Sequence, residues 1–221
     1  EYRRQRQMCI RDRQNTFAQT QEPLKAQLTM QDVVVFSNNK NTLFGLKDKS
    51  GNIVVDAQYK KLIRLGTSSW IINKKNKYGI MDSSGNILVE PKFRHVDRMM
   101  LKYVKLGNEN DYGVYDEKGE IILPNEYMTI NMLFGGMFLI KKNYKYGVAD
   151  RNGNIILKPI FDEIYTPKPN IMRIEYNGQW YEIEQIAGGE IELPEDVKNI
   201  KENKNFKVTE FVKDPLTASG Y

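Results

Sequence analysis

Apolar residues in this chain come in short runs rich in β-branched and aromatic side chains, cut by polar clusters containing Gly or Asn. Around residue 80 the pattern reads Tyr78-Gly79-Ile80-Met81, then Asp82-Ser83-Ser84-Gly85-Asn86, then Ile87-Leu88-Val89. Runs this short, bounded by turn formers, predict strands. Asp at the head of the polar cluster can accept backbone N–H groups. Gly at its fourth place supplies the positive φ of a type I turn with a bulge, so the cluster predicts a hairpin. Pro91, Pro124 and Pro159 come shortly after such segments and argue further against helix.

The pattern repeats. An aromatic residue followed by Gly occurs at Phe44-Gly45, Tyr78-Gly79, Tyr112-Gly113 and Tyr146-Gly147, each step 34 residues long. A fifth step lands on Trp180-Tyr181, where the aromatic is kept and the Gly is lost. Asp48, Asp82, Asp116 and Asp150 keep the same period, with Glu184 at the fifth place. Gly51, Gly85, Gly119 and Gly153 keep it too, as do Ile53, Ile87, Ile121 and Ile155, and a second aromatic at Tyr59, Phe93, Tyr127 and Phe161. Helical arrays share this repeat length, but the turn chemistry here makes the unit β.

A third strand is expected before each aromatic-Gly pair, over 33–36, 70–72, 103–106, 137–140 and 171–174. Each unit is thus a three-stranded meander, followed by a Pro-x-aromatic exit (Pro91-Lys92-Phe93, Pro159-Ile160-Phe161) and a variable connection. A single meander cannot bury its own apolar face, so neighbours must stack into a continuous core. The expected fold is all-β: five tandem 34-residue repeats of short antiparallel strands in an open stacked array, with repeated positions committed to the core. A closed five-bladed β-propeller is the alternative, disfavoured because 34 residues are tight for four strands per blade. The Gly beside each aromatic predicts a ring lying flat over backbone. The degenerate fifth unit, with Tyr181 for Gly and a shift to Gly189-Glu190-Ile191, reads as a terminal cap.

These residues resemble the WG-repeat family, in which an aromatic-Gly pair precedes Asp-x-x-Gly, a β-branched strand and a Pro-x-aromatic. The resemblance covers roughly residues 33–194 and departs in using Tyr or Phe where the family has Trp, except at Trp180. It implies a β-repeat module without an assigned catalytic activity.

Charge adds little. The formal net charge is +5, and residues 1–13, with Arg3, Arg4, Arg6, Arg11 and Arg13 against Glu1 and Asp12, carry +3 of it. The rest mixes both signs, which excludes an electrostatic stripe for nucleic acid. No apolar stretch is long enough for a membrane helix.

Residues 1–13 resemble translated sequencing-adapter DNA and share no pattern with the rest of the chain, so they are set apart as artefact. With them goes Cys9, the single cysteine. Residues 14–30 read as a linker or the remnant of a signal peptide ending near Ala18, which favours a periplasmic or extracellular, exported bacterial protein. The repeat domain spans 31–194, and 195–221 reads as a polar tail or truncated region.

Candidate chemistry is sparse. His95 is the one histidine, and Lys61, Thr129 and Glu163 take its place in other units, so it reads as an outward position. Without a second histidine or a thiol, neither nucleophilic triads nor zinc sites can be assembled. The periodic aspartates could form a calcium row when stacked, but their expected role is to accept backbone donors in the turns. The lysine-rich turns at 73–77 and 141–145 read as solvated hairpin ends. Aromatics off the repeat registers, Tyr103, Tyr115, Tyr144 and Tyr165, are candidates for partner contact. No catalytic, cofactor-binding or metal-ligating residue is assigned. The expected function is a non-catalytic module binding a protein or polysaccharide, with a hydrolase of converging carboxylates or a cytoplasmic scaffold as alternatives. Function is expected where the repeats differ, in the connections near 64–69, 98–102, 131–136 and 165–170.

Overall fold

The computed structural model describes residues 28–168, 171–185 and 206–211. Among them the chain is all-β, apart from one 3-10 turn at Phe134–Gly136. The first sheet holds β1 (Val33–Ser37), β2 (Phe44–Asp48) and β3 (Ile53–Tyr59). The second holds β4 (Lys61–Leu65), β5 (Ser69–Lys74), β6 (Lys77–Asp82) and β7 (Ile87–Phe93). The third is β8 (His95–Arg98), β9 (Tyr103–Gly107), β10 (Tyr112–Asp116) and β11 (Ile121–Tyr127). The fourth is β12 (Thr129–Met132), β13 (Phe138–Lys142), β14 (Lys145–Ala149) and β15 (Ile155–Phe161). The fifth is β16 (Glu163–Lys168), β17 (Ile171–Tyr176), β18 (Gln179–Gln185) and β19 (Phe206–Phe211). Every sheet is an antiparallel meander in chain order.

Four strands per unit, not three, is a departure from the sequence-based expectation. The extra strands β4, β8, β12 and β16 fill the segments expected to be variable connections. The phase also differs. The sequence repeat begins at an aromatic-Gly pair, which lies on the last strand but one of one sheet, and runs through the second strand of the next. Each repeat therefore stitches two sheets together covalently.

Five sheets enclose four apolar cores. The first is built from Val33, Leu46, Val55 and Tyr59 of sheet one against Trp70, Ile72 and Met81 of sheet two. The second sets Leu65, Ile71, Ile80, Val89 and Phe93 against Val104, Leu106 and Tyr115. The third sets Val114, Leu123 and Tyr127 against Ile130, Phe138, Ile140 and Ala149. The fourth sets Met137, Val148, Leu157 and Phe161 against Ile164, Met172, Ile174, Tyr181 and Ile183. Each inner sheet thus spends both faces on its neighbours, and a closed ring of five sheets would need a fifth core. The array is open.

At each end a polar residue takes a place that is apolar on the inner sheets. At the position of Met81, Tyr115, Ala149 and Ile183, which pack on the preceding sheet, sheet one has Lys47. At the position of Ile72, Leu106, Ile140 and Ile174, by strand register, it keeps an apolar residue, the half-buried Phe36 paired with Gly45. The opposite end repeats the device. Leu46, Ile80, Val114 and Val148 pack on the next sheet, and their counterpart in sheet five is Glu182, whose Oε2 accepts from Arg173 Nε at 2.9 Å. Arg173 Nη1 also donates to the Tyr165 hydroxyl at 3.3 Å, and together these bonds hold the guanidinium pKa above its usual value. Such polar end units are what a stacked array needs to stop.

Repeated positions divide into two kinds. The second aromatics Tyr59, Phe93, Tyr127 and Phe161 are buried, whereas the first aromatics Phe44, Tyr78, Tyr112 and Tyr146 are half-buried. Ile53 and Ile121 are each 63% exposed and Ile87 39%, so in these units the register lies outside the core, whereas Ile155 packs against the third core.

The fifth sheet takes its last strand from 206–211, within the segment expected as a polar tail, and not from the region of Ile191. Residues 1–13, Ala18 and the rest of 14–27 lie outside the described residues. Leu28 to Met30 do not behave as a linker: Met30 is buried in the first core, and Leu28 packs against it.

Candidate functional site

Because every sheet is a meander, its loops fall at two ends. One end carries the Asp-x-x-Gly turns together with the loops after β4, β8, β12 and β16. The other carries the β1–β2, β5–β6, β9–β10, β13–β14 and β17–β18 hairpin tips and the junctions between sheets.

The Asp-x-x-Gly end is structural. Asp82 Oδ1 accepts from the N–H groups of Ser84 at 2.9 Å and Asn86 at 2.8 Å, and Oδ2 accepts from Asn86 Nδ2 at 2.8 Å. Asp48 and Asp150 hold Asn52 and Asn154 in the same way, and Asp116 accepts from the N–H groups of Lys118 and Glu120. The Asn52 side chain and backbone hold the Asp48 carboxyl below the usual carboxylate range. Gly51, Gly85, Gly119 and Gly153 take φ of 92°, 94°, 80° and 86°. A Cβ on Gly85, Gly119 or Gly153 would meet Val55, Leu88 or Ile122 of the preceding sheet within 3 Å, whereas Gly51 faces open space. These turns dock unit on unit. Among the described residues no three His, Cys, Asp or Glu side chains gather into a metal-binding group.

The connections at this end are also engaged. Gly66 N–H donates to the Leu101 carbonyl at 2.6 Å, Thr67 N–H donates to Glu117 Oε2 at 2.6 Å, and Ser83 N–H donates to the Ser68 carbonyl at 2.9 Å. Arg151 Nη2 donates to the Gly135 carbonyl at 2.9 Å. The loops 64–69 and 131–136 are therefore engaged in packing between and within units. Residues 169–170 of the last connection lie outside the described residues.

The hairpin end is different. Lys77, Lys92 and Arg94 of the second unit face Asn108, Glu109, Asn110 and Asp111 of the β9–β10 turn across an open groove of about 650 Å³. The turn's shape is fixed by Asp111, whose Oδ1 accepts from Asn108 N–H at 2.7 Å. Asn125 ties the strand beneath it, donating through Nδ2 to the carbonyls of Leu106 at 2.7 Å and Asp111 at 3.0 Å. Arg94 and Glu109 approach to 3.6 Å, with side chains 62% and 79% exposed, so this pair is weak and can open to another partner. Further along the same end, Lys60 Nζ donates to Asn76 Oδ1 at 2.9 Å and Lys74 Nζ to Gln58 Oε1 at 2.7 Å.

The four candidate aromatics do not converge. Tyr144 stands at the β13–β14 tip, 75% exposed, with φ of 63°. Tyr103 is half-buried, edge-on to Phe138 at 6.0 Å between sheets three and four. Tyr165 lies edge-on to Trp180 at 5.7 Å. Tyr115 is a correction: it is only 5% exposed, packs 5.8 Å from Phe93, and donates its hydroxyl to Asn125 Oδ1, so it is core and not surface. It lies two residues beyond Gly113 and so points into the second core. His95 is exposed, its ring 6.0 Å from Tyr112. The groove residues do not stand out in the sequence, because none of their positions keeps one residue type through all the units. Lys77, for example, corresponds to Leu43, Asp111 and Lys145.

A family model described as a WG-containing repeat matches at residues 44–77, 78–98, 112–146 and 146–180. The chain belongs to the WG-repeat family. Each matched segment opens at an aromatic-Gly pair or at its aromatic, on the last strand but one of a sheet. In this WG-repeat chain Tyr or Phe serves at that place because the ring is half-buried and asks for flat apolar area, not an indole N–H. No curated protein matches the chain. Among solved structures, one titled "KlHsv2 with loop 6CD replaced by a Gly-Ser linker" aligns over 82% of both chains at 12% identity, with a TM-score of 0.29. Among the described residues no helix is long and apolar enough to cross a membrane.

Proposed function

We propose that this WG-repeat array is a non-catalytic binding module whose hairpin end receives a polar segment of another protein. The observation that carries the reading is a division of labour between the two ends. Repeated positions are spent on turns and cores, while the groove between Lys92, Arg94 and the Asn108–Asp111 turn is built from positions where the units differ. Its lining mixes cations, carboxylates and amides. That mixture fits a protein segment carrying both charges and hydrogen-bonding groups better than a uniformly anionic polysaccharide. Glu109 and Asp111 sit in an open, hydrated groove, not in the desolvated pocket that general acid–base catalysis requires.

The test is the double variant Lys92→Glu/Arg94→Glu, compared with the parent for co-purifying proteins and for melting temperature. Loss of a partner at unchanged melting temperature supports the reading. Retention of every partner removes the groove from it. Retardation of the parent, and not the variant, in gels containing acidic polysaccharide would replace protein by polysaccharide. A hydrolytic activity abolished by Glu109→Gln would overturn the non-catalytic assignment.

A further inference from the structure

The two walls of the groove do not offer their charges equally. Asp111 is spent on its own turn, accepting from Asn108 N–H at 2.7 Å and from Asn108 Nδ2 at 3.4 Å. Glu109 reaches only Arg94 among the described residues, at 3.6 Å and exposed to water. Lys77 and Lys92 make no ion pair among them, and Lys92 Nζ lies 5.3 Å from the centroid of the Phe93 ring. Three cations therefore face one loosely held carboxylate.

Counterpart positions in the other units show what is missing. Counting in steps of 34 residues, Lys77 and Arg94 stand where the fourth sheet and the junction after it have Lys145 and Asp162, which form an ion pair. Lys92 and Asn108 stand where Glu126 and Lys142 pair at 2.9 Å, and where Gln58 Oε1 accepts from Lys74 Nζ at 2.7 Å. Between sheets two and three neither contact is made. Lys77 meets a second cation position in place of Asp162, and Asn108 Oδ1 is turned to the Arg94 N–H at 3.3 Å. An acceptor is missing from both places, and all four residues concerned line the open groove.

We propose that the groove takes an acidic segment of a partner protein, whose carboxylate stands to Lys77 and Arg94 as Asp162 stands to Lys145. The inference rests on the protein-binding reading of this groove and names the groups of the segment that it grips. Glu109 is then a resident competitor, which holds Arg94 in the empty groove and yields to a carboxylate that Lys77 also attracts. One exposed ion pair is worth little, whereas a carboxylate set between two cations gains from both and offsets their mutual repulsion. Asn110, exposed at the tip of the turn, offers its amide to the backbone of the same segment.

The test is fluorescence anisotropy of a labelled Gly-Ser-Glu-Glu-Glu-Ser-Gly peptide with the full chain at low salt, against twins carrying glutamine or lysine for glutamate. The parent is expected to bind the glutamate peptide and neither twin. Arg94→Asp, which copies the Lys145–Asp162 arrangement inside the chain, is expected to weaken binding by about tenfold or more. Lys118→Asp, an equal change of net charge at the opposite end, is expected to leave it within about twofold. Glu109→Gln is expected to tighten it by about twofold to fivefold. No binding by the parent, equal weakening by Arg94→Asp and Lys118→Asp, or no tightening by Glu109→Gln would each overturn the proposal. Tighter binding of trigalacturonate, which carries its carboxylates on sugars, would overturn it in favour of a polysaccharide. If Arg94→Asp fails to fold, Glu109→Gln decides. A co-purifying partner lost by Lys92→Glu/Arg94→Glu, from a chain that ignores the glutamate peptide, would remove the acidic segment and leave the protein-binding reading standing. A partner kept by that variant would remove both.

Discussion

The Gly79 Cα faces the Val89 carbonyl across a bulge so closely that a Cβ would stand 2.3 Å from that oxygen and 2.7 Å from Pro91 N. Two residues of β6, from Tyr78 to Ile80, span four of β7, from Phe93 back to Val89. The surplus backbone presses onto the glycine. The same contact recurs at Gly45 with Val55, Gly113 with Leu123 and Gly147 with Leu157. It replaces the ring-over-backbone contact expected from sequence. The bulge needs a missing Cβ opposite it, and it accommodates a residue without an N–H at Pro91 and Pro159, where the other two units have Ala57 and Asn125.

Gly79→Ala is accordingly expected to cost about 3 kcal/mol, since backbone must move to admit the methyl group. Gly51→Ala, at positive φ but in open space, is expected to cost only about 1 kcal/mol. Urea denaturation of both variants checks the contrast, and equal costs would mean that the bulge yields easily.

Removing a turn carboxylate separates structure from metal chemistry. Asp82→Ala strips three hydrogen bonds from a residue only 4% exposed and is expected to destabilise by about 2–3 kcal/mol. EDTA is expected to leave the melting temperature of the parent chain unchanged. A drop on chelation would return the aspartates to a calcium role.

What could be read from the sequence was whatever one residue type enforces alone. A turn that needs positive φ selects Gly51, Gly85, Gly119 and Gly153, and a carboxylate that must accept several donors selects Asp. The strands β4, β8, β12 and β16 escaped because backbone pairing holds them, and backbone pairing tolerates any side chain. Their one periodic signal is an aliphatic at Leu62, Val96, Ile130 and Ile164, in contact with the preceding sheet. The groove escaped for a related reason. It joins residues about 30 positions apart, Lys77 and Asp111, that only the stacking of two sheets brings together.

The polar ends make a further expectation. Lys47→Met restores the apolar residue that inner sheets present to their predecessors. It is expected to convert the end into an adhesive face, giving concentration-dependent species larger than those of the parent chain. Light scattering across a dilution series measures this, and an unchanged mass would show that this side chain is not what stops the array.

Alkaline titration tests the buried rings. Burial in the core between sheets three and four, reinforced by the neighbouring Glu126, pushes the Tyr127 phenol up to about 12. Burial pushes Tyr59 and Tyr115 in the same direction. A phenol whose pKa is higher folded than unfolded favours the folded state while it is protonated. Its stabilisation is complete below the ordinary value near 10 and is lost as pH rises toward 12. The parent chain is therefore expected to lose stability between these limits, the unfolded chain releasing its protons first. Tyr127→Phe keeps the ring and removes one of the titrating groups, so its loss over the same interval is expected to be smaller. Urea midpoints at about pH 9 and about pH 11.5, on either side of the unfolded phenol's titration, measure the difference. If parent and Tyr127→Phe lose stability in parallel, the hydroxyl reaches water in the folded chain, and the packing assigned to the third core is wrong at that point.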